Sequence, residues 1–167
     1  QKKYNIFLAG GDTSYSSRLT ITITVAGYSK KNPILRNGAK INDDIYITNT
    51  IGDAFIGLMI LKKKIKLSKK YSDYFIRKFY LPNLPIKFSK KINIFANCAI
   101  DISDGFFQDL QHILSASNLS FKLFKNKIPV SNYLNSYIIR TNKNILNYIS
   151  NGDDYQILFT ANKKKRN

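Results

Sequence analysis

Residues 98–110 read "CAIDISDGFFQDL", and this stretch decides how the rest of the chain is interpreted. An apolar run ends at Asp101, a short turn follows, and an apolar-patterned segment begins after Gly105. Asp and Ser at such a position are typical of helix N-caps. Carboxylates three residues apart are also suited to Mg²⁺, which prefers oxygen ligands. The stretch alone allows both interpretations.

Strand and helix patterns alternate around this stretch. Residues 44–64 predict a strand, a turn and then a helix, and residues 154–162 predict a closing strand. The segment after Gly105 predicts a helix whose polar face carries Gln108, Asp109, Gln111 and His112. Alternation at 119–130 predicts another strand. The mixture indicates an α+β class.

The N-terminal part predicts two strands, at 4–11 and 18–28, of one half-buried sheet. Residues 30–44 contain Pro33 and Asn37-Gly38, which are turn residues and indicate a boundary. The predicted division is therefore 1–28, the end of one half-domain with two strands, and 29–167, an α+β domain.

Composition narrows the functional classes. The chain has 27 Lys and Arg against 10 Asp and Glu, but the lysines are scattered among Ile, Asn, Tyr and Phe, so a nucleic-acid partner is disfavoured. A single cysteine, Cys98, and a single histidine, His112, rule out a disulfide framework and a Cys/His zinc site. They fit a reducing, cytoplasmic setting. No apolar run approaches the roughly 20 residues that span a membrane.

Six of the ten acidic residues lie in glycine-punctuated turns: Asp12, Asp53, Asp101, Asp104, Asp153 and Asp154. Turns and helix caps favour Asp for structural reasons, and a cap on the helix that follows is the expected role of Asp53. Glycine turns and helix N-termini also bind phosphate oxygens, while nearby carboxylates hold Mg²⁺. Asp154 and Tyr155 are expected to serve the turn and the core.

Five motifs together resemble one enzyme family: "LAGGDTS" (8–14), "LRNGAKINDDIYITNTIGDAFIGL" (35–58), "FYLPNLP" (79–85), "AIDISDGFFQDLQHILSASN" (99–118) and "NGDDYQILFT" (151–160). Their order and spacing resemble thiamine-monophosphate kinase, of the PurM-like ATP-binding superfamily that includes aminoimidazole ribonucleotide synthetase. The resemblance implies Mg²⁺-dependent transfer of the ATP γ-phosphate to thiamine monophosphate. The expected cofactors are ATP and Mg²⁺, and the expected partner is this small-molecule substrate.

The resemblance also implies roles for individual residues. Asp12, Asp101 and Asp104 match metal ligands, and Asp153 stands where the family has a substrate-contacting glutamate. ATP contacts are implied for four residues: Gly11, Asp12, Arg36 and Ser103. Ser103 or Asp104 is expected to begin the helix while the carboxylates face Mg²⁺.

The resemblance implies a chain that lacks the family's N-terminal region and C-terminal end. Asn49 and Asn151 stand where the family has glycines, and Asp153 is shorter than the usual glutamate. The homodimer of the family is uncertain for such a chain. Two alternatives stay open: a non-catalytic or split-gene remnant of the kinase, and a basic nucleic-acid-binding module.

Overall fold

A computed structural model describes residues 5–28 and 32–166. The chain divides into two units, 1–31 and 32–167. In the first unit, residues 5–28 are exposed and contain no helix or strand. The two strands predicted there are not formed, because an isolated extended segment has no neighbouring strand to accept and donate its backbone hydrogen bonds. The assignment of 1–28 to a half-domain stays a prediction.

The second unit contains a three-stranded antiparallel sheet. Its strands are β1 (Asp43–Ile47), β2 (Ala96–Asp101) and β3 (Ile157–Asn162), in the order β1-β3-β2. The register pairs Tyr46 with Phe159 on one side of β3 and Asp101 with Ile157 on the other. Asp101 therefore ends β2 where β3 begins, which fixes one end of the sheet as the place where turns carrying acidic residues converge.

Among the described residues of this unit, six α-helices accompany the sheet: α1 (Asp53–Leu61), α2 (Lys69–Tyr80), α3 (Ile86–Ser89), α4 (Phe106–Ser117), α5 (Asn132–Thr141) and α6 (Leu146–Ile149). The predicted strand–turn–helix at 44–64 is confirmed by β1 and α1, and the closing strand is confirmed by β3. The strand predicted at 119–130 is wrong, because that segment is irregular except for a 3₁₀ turn at Lys125–Lys127. Its alternation reflects a segment that rests on the core without a strand partner.

Two apolar layers cover the faces of the sheet. On one face, Cys98 and Leu158 pack with Phe106 and Leu110 of α4. On the other, Phe159 lies 5.3 Å from the ring of Phe88, measured between ring centroids. A third cluster joins α1, α2 and α5, and its fully buried side chains are Ile56, Phe75 and Leu134. The α+β class predicted from the sequence is thus confirmed.

Cys98 lies in β2, and its side chain is fully buried beside Thr160. His112 is exposed on α4, as predicted. Within residues 5–28 and 32–166, no helix is both long enough and apolar enough to cross a membrane.

Candidate active site

Two acidic turns meet at the end of the sheet. The amide of Asp153 donates a hydrogen bond to the carbonyl of Ser103 at 3.0 Å, and the amide of Tyr155 donates to the carbonyl of Ile102 at 2.8 Å. Gly152 lies so close to Ser103 that a side chain there would collide with the Ser103 carbonyl group. The predicted site residues Ser103 and Asp153 are therefore neighbours, although 50 residues separate them in sequence.

Glycine is also required at the start of α4. Gly105 has a φ of 130°, which only glycine adopts readily, and an added Cβ would collide with the carbonyl of Ser150. The helix begins at Phe106 with Gly105 as its N-cap, and no side chain caps it. The expectation that Ser103 or Asp104 begins this helix is wrong.

Asp109 supports the turn from inside the helix. Its carboxylate Oδ2 accepts hydrogen bonds from the amides of Asp104 at 3.2 Å and Gly105 at 3.0 Å. The side chain is buried rather than on the polar face as predicted, and burial raises the pKa of its carboxyl group. The turn is thus stabilised by a residue that the helical periodicity assigned to solvent.

Asp101 and Asp104 remain exposed at this turn. Asp104 accepts a hydrogen bond from Gln108 at 3.2 Å, whereas no described side chain donates to Asp101. No group of three or more His, Cys, Asp or Glu residues suited to a metal exists within residues 5–28 and 32–166. Two accessible carboxylates do suit Mg²⁺, which usually takes one or two carboxylates together with substrate phosphates. The donor set fits an ion that arrives with phosphate, and does not form a closed metal cage.

A third turn is tied to the first two by Asp154. Its carboxylate is buried and accepts a hydrogen bond from the amide of Gly52 at 2.7 Å, just before α1. Burial raises the pKa of Asp154 to about 7, and the amide hydrogen bonds only partly oppose this effect. Asp154 therefore serves the turn, as expected. Tyr155, expected in the core, is instead 41% exposed.

Asp53 does not cap α1 as predicted. Gly52 is the N-cap, and Asp53 is the first residue of the helix, with a side chain that is 2% exposed. Its two oxygens accept hydrogen bonds from the hydroxyls of Ser131 at 2.6 Å and Tyr74 at 2.9 Å. Burial raises its pKa, while the two hydroxyls lower it. Asp53 joins α1, α2 and the start of α5.

The remaining predicted residues lie elsewhere. Arg36 is exposed, in a segment whose Leu35 carbonyl accepts a hydrogen bond from the amide of Ala99. This segment therefore runs beside β2, about 7 Å along the strand from Asp101. Gly11 and Asp12 are exposed in the first unit. The second unit thus brings Ser103 and Asp153 into contact, and their roles, like that of Asp12, stay predictions.

The fold of the second unit defines a class of protein. A structure of AaThiL complexed with AMPPCP and TMP matches with a TM-score of 0.72 and 32% identity, over 80% of this chain and 44% of that chain. A HypE–HypF complex matches with a TM-score of 0.59 at 15% identity, over 78% of this chain and 41% of that chain, which supports the fold alone. The chain has part of a PurM-like α+β fold, as predicted.

The sequence narrows this class. Thiamine-monophosphate kinase of Buchnera aphidicola subsp. Acyrthosiphon pisum is 40% identical over 165 residues, which are 97% of this chain and 50% of the relative. No family model matches the chain. The chain is homologous to thiamine-monophosphate kinases along nearly its whole length, and it spans about half the length of the curated relatives it matches.

Proposed function

We propose that this chain forms part of an Mg²⁺-dependent thiamine-phosphate kinase, which transfers the γ-phosphate of ATP to thiamine monophosphate. The observation that carries the proposal is the meeting of the Ser103 and Gly152 turns beside two exposed carboxylates. The AaThiL structure, which contains AMPPCP and TMP, supports the choice of substrates. The homologous kinases support the reaction type.

In this proposal, Asp101 and Asp104 hold the metal from the end of β2 and the start of the turn. Bound Mg²⁺ would neutralise phosphate charge, which is the main catalytic need in phosphoryl transfer. Asp12 would add a further carboxylate. Gly11, Arg36 and Ser103 would contact ATP, Arg36 through a planar guanidinium that suits phosphate oxygens.

Asp153 is the proposed substrate contact. Its backbone amide is fixed on the Ser103 carbonyl, and its φ of 70° turns the chain sharply at this position. The side chain is half-buried. An exchange of Asp153 for glutamate, the residue implied by the family resemblance, therefore tests reach without changing charge.

The test is a phosphotransfer assay with ATP, Mg²⁺ and thiamine monophosphate, accompanied by calorimetric titration of ATP in Mg²⁺. Asp101→Asn and Asp104→Asn are expected to abolish turnover and to weaken Mg²⁺-dependent ATP binding. Asp73→Asn is the matched control, because Asp73 is exposed and only pairs with Lys69 on α2. Normal turnover in the Asp101→Asn and Asp104→Asn variants would disprove the assigned roles. Absence of turnover with ATP binding retained would favour the non-catalytic remnant.

A further inference from the structure

An open surface pocket of about 560 Å³, called the cavity below, lies at the far ends of α1 and α5. Its walls are the connection between α1 and α2, residues 64–68, and the end of α5. The start of α1 is bonded to Asp154 and the start of α5 to Asp53. Because nine helical residues span about 13 Å, the length of α1 separates the cavity from the acidic turns. The cavity is therefore distinct from the candidate active site.

The cavity is strongly positive. Four of its nine lining residues are basic, compared with 27 of 167 in the whole chain, and none is acidic: they are Lys64, Lys66, Arg140 and Lys143. Ion pairs among the described residues join Lys69 to Asp73 and Arg166 to Asp44. None of the four lining cations takes part in either pair. The lining therefore contributes four positive charges and no carboxylate.

The backbone that carries these cations is held in place. Lys64 donates its amide to the carbonyl of Met59 at 2.8 Å, which closes the turn after α1. Ile65 and Leu67 point into the cluster between α1, α2 and α5, so the lysines between and before them are left at the surface. The guanidinium of Arg140 lies 6.0 Å from the ring centroid of Tyr137. The backbone at Lys64 and the guanidinium of Arg140 thus have defined positions beside the cavity.

We propose that this cavity binds a compact oligophosphate group, either as a free inorganic chain or as part of a nucleotide. Its volume lies in the range of small-molecule sites, roughly 300–1,000 Å³. Lys64, Lys66 and Arg140 contact the phosphate oxygens, and the hydroxyl of Ser68 at the rim adds a neutral donor. Single-stranded nucleic acid fits less well, because Tyr137 is only 5% exposed and offers no ring face for base stacking.

The test is calorimetric titration of the full chain with inorganic tripolyphosphate in EDTA, so that metal-dependent binding at the acidic turns does not contribute. The double variant Lys64→Gln/Lys66→Gln is expected to raise Kd by about tenfold, because it removes two positive charges whose attraction to phosphate is partly screened by salt. Lys87→Gln/Lys90→Gln is the matched control, because it removes the same charge from exposed positions outside the cavity. The control is expected to change Kd by less than about twofold.

Parallel titrations with ATP and with a single-stranded oligonucleotide identify the source of the phosphate. Tripolyphosphate binding that depends on Lys64 and Lys66 supports the inference. Whichever of tripolyphosphate and ATP binds more tightly identifies the source of the phosphate group. No binding, equal losses in both double variants, or tighter binding of the oligonucleotide would overturn it. Circular dichroism checks folding, and Arg140→Gln serves as the second variant if the lysine variant does not fold. Kinase activity is not the readout, so failure here is separate from failure of the proposed function.

Discussion

Replacement of Gly152 by alanine is the most direct test of the packing that unites the acidic turns. The added Cβ would meet the Ser103 carbonyl oxygen, with the Ser103 carbonyl carbon at 2.6 Å and that of Asp104 at 2.9 Å. Ordinary contacts of a Cβ lie at 3.4–4 Å. These atoms of Ser103 and Asp104 belong to the backbone, which cannot move aside as a flexible side chain can. The two turns must therefore separate by roughly 1 Å.

Separation of the turns has a cost in two parts. Forcing extra volume into a packed contact costs about 1–3 kcal/mol. Losing the hydrogen bond from the Asp153 amide to Ser103 adds about 1 kcal/mol. We expect Gly152→Ala to lower the free energy of unfolding by about 2–4 kcal/mol.

Urea denaturation monitored by circular dichroism measures the change, as a lower midpoint with an unchanged m-value. Gly27→Ala is the control, because no atom lies within 4 Å of a Cβ placed at Gly27. This control is expected to change stability by less than about 0.5 kcal/mol. Equal midpoints for the two variants would refute the close approach of the turns, and with it the geometric basis of the candidate site.

Three further results are expected. Asp109→Ala should lower the free energy of unfolding by about 1–3 kcal/mol in urea melts, because the buried Gly105 amide loses its acceptor. The control Asp73→Ala, at an exposed ion pair, should change the free energy of unfolding far less. Equal losses in the two variants would contradict the role of Asp109. The pKa of Asp154 is raised by burial to about 7, so the folded state binds more protons than the unfolded state between about pH 4 and 7, and stability from this group declines as the pH rises. Asp154→Asn should remove that decline in stability. An identical pH dependence of the melting curves of the unsubstituted chain and of Asp154→Asn would contradict the raised pKa of Asp154. Finally, the thiol of Cys98 should resist a thiol reagent until urea unfolds the chain, because it is fully buried and burial raises its pKa; rapid labelling of the native chain would show otherwise.

Local patterns predicted the elements whose signals lie within a short window. Two segments combine an apolar run with flanking glycine or polar residues, namely 44–64 and 154–162. The first forms β1 and α1, and the second forms β3. Strand formation also needs a partner, which a local pattern does not supply. Residues 18–28 and 119–130 alternate well, yet their described residues form no strand. Alternation alone did not predict these strands correctly, because pairing with a neighbouring strand decides which segments become strands.

The acidic residues show a similar limit. Spacing indicated that Asp101 and Asp104 share a turn, and both are exposed there. Nothing in the periodicity of α4 indicated that Asp109 faces inward, because its acceptor role arises from amides that exist only once Gly105 adopts its φ of 130°. Asp53 was likewise predicted as a local cap, whereas its partners Tyr74 and Ser131 are 21 and 78 residues away. Hydrogen bonds between distant segments set the roles of these two carboxylates.

The division between buried and exposed carboxylates shows how one short region can contain both a helix start and the proposed metal ligands. Asp53, Asp109 and Asp154 are buried: Asp109 and Asp154 accept hydrogen bonds from amides of the turns, and Asp53 accepts hydrogen bonds from the hydroxyls of Ser131 and Tyr74. Because these three satisfy the structural need, Asp101 and Asp104 are left in solvent with charge available for an ion. Helix capping and metal binding therefore do not compete for the same oxygens in "CAIDISDGFFQDL". The turn is held by Asp109, and the proposed Mg²⁺ ligands are the carboxylates that the turn itself does not use.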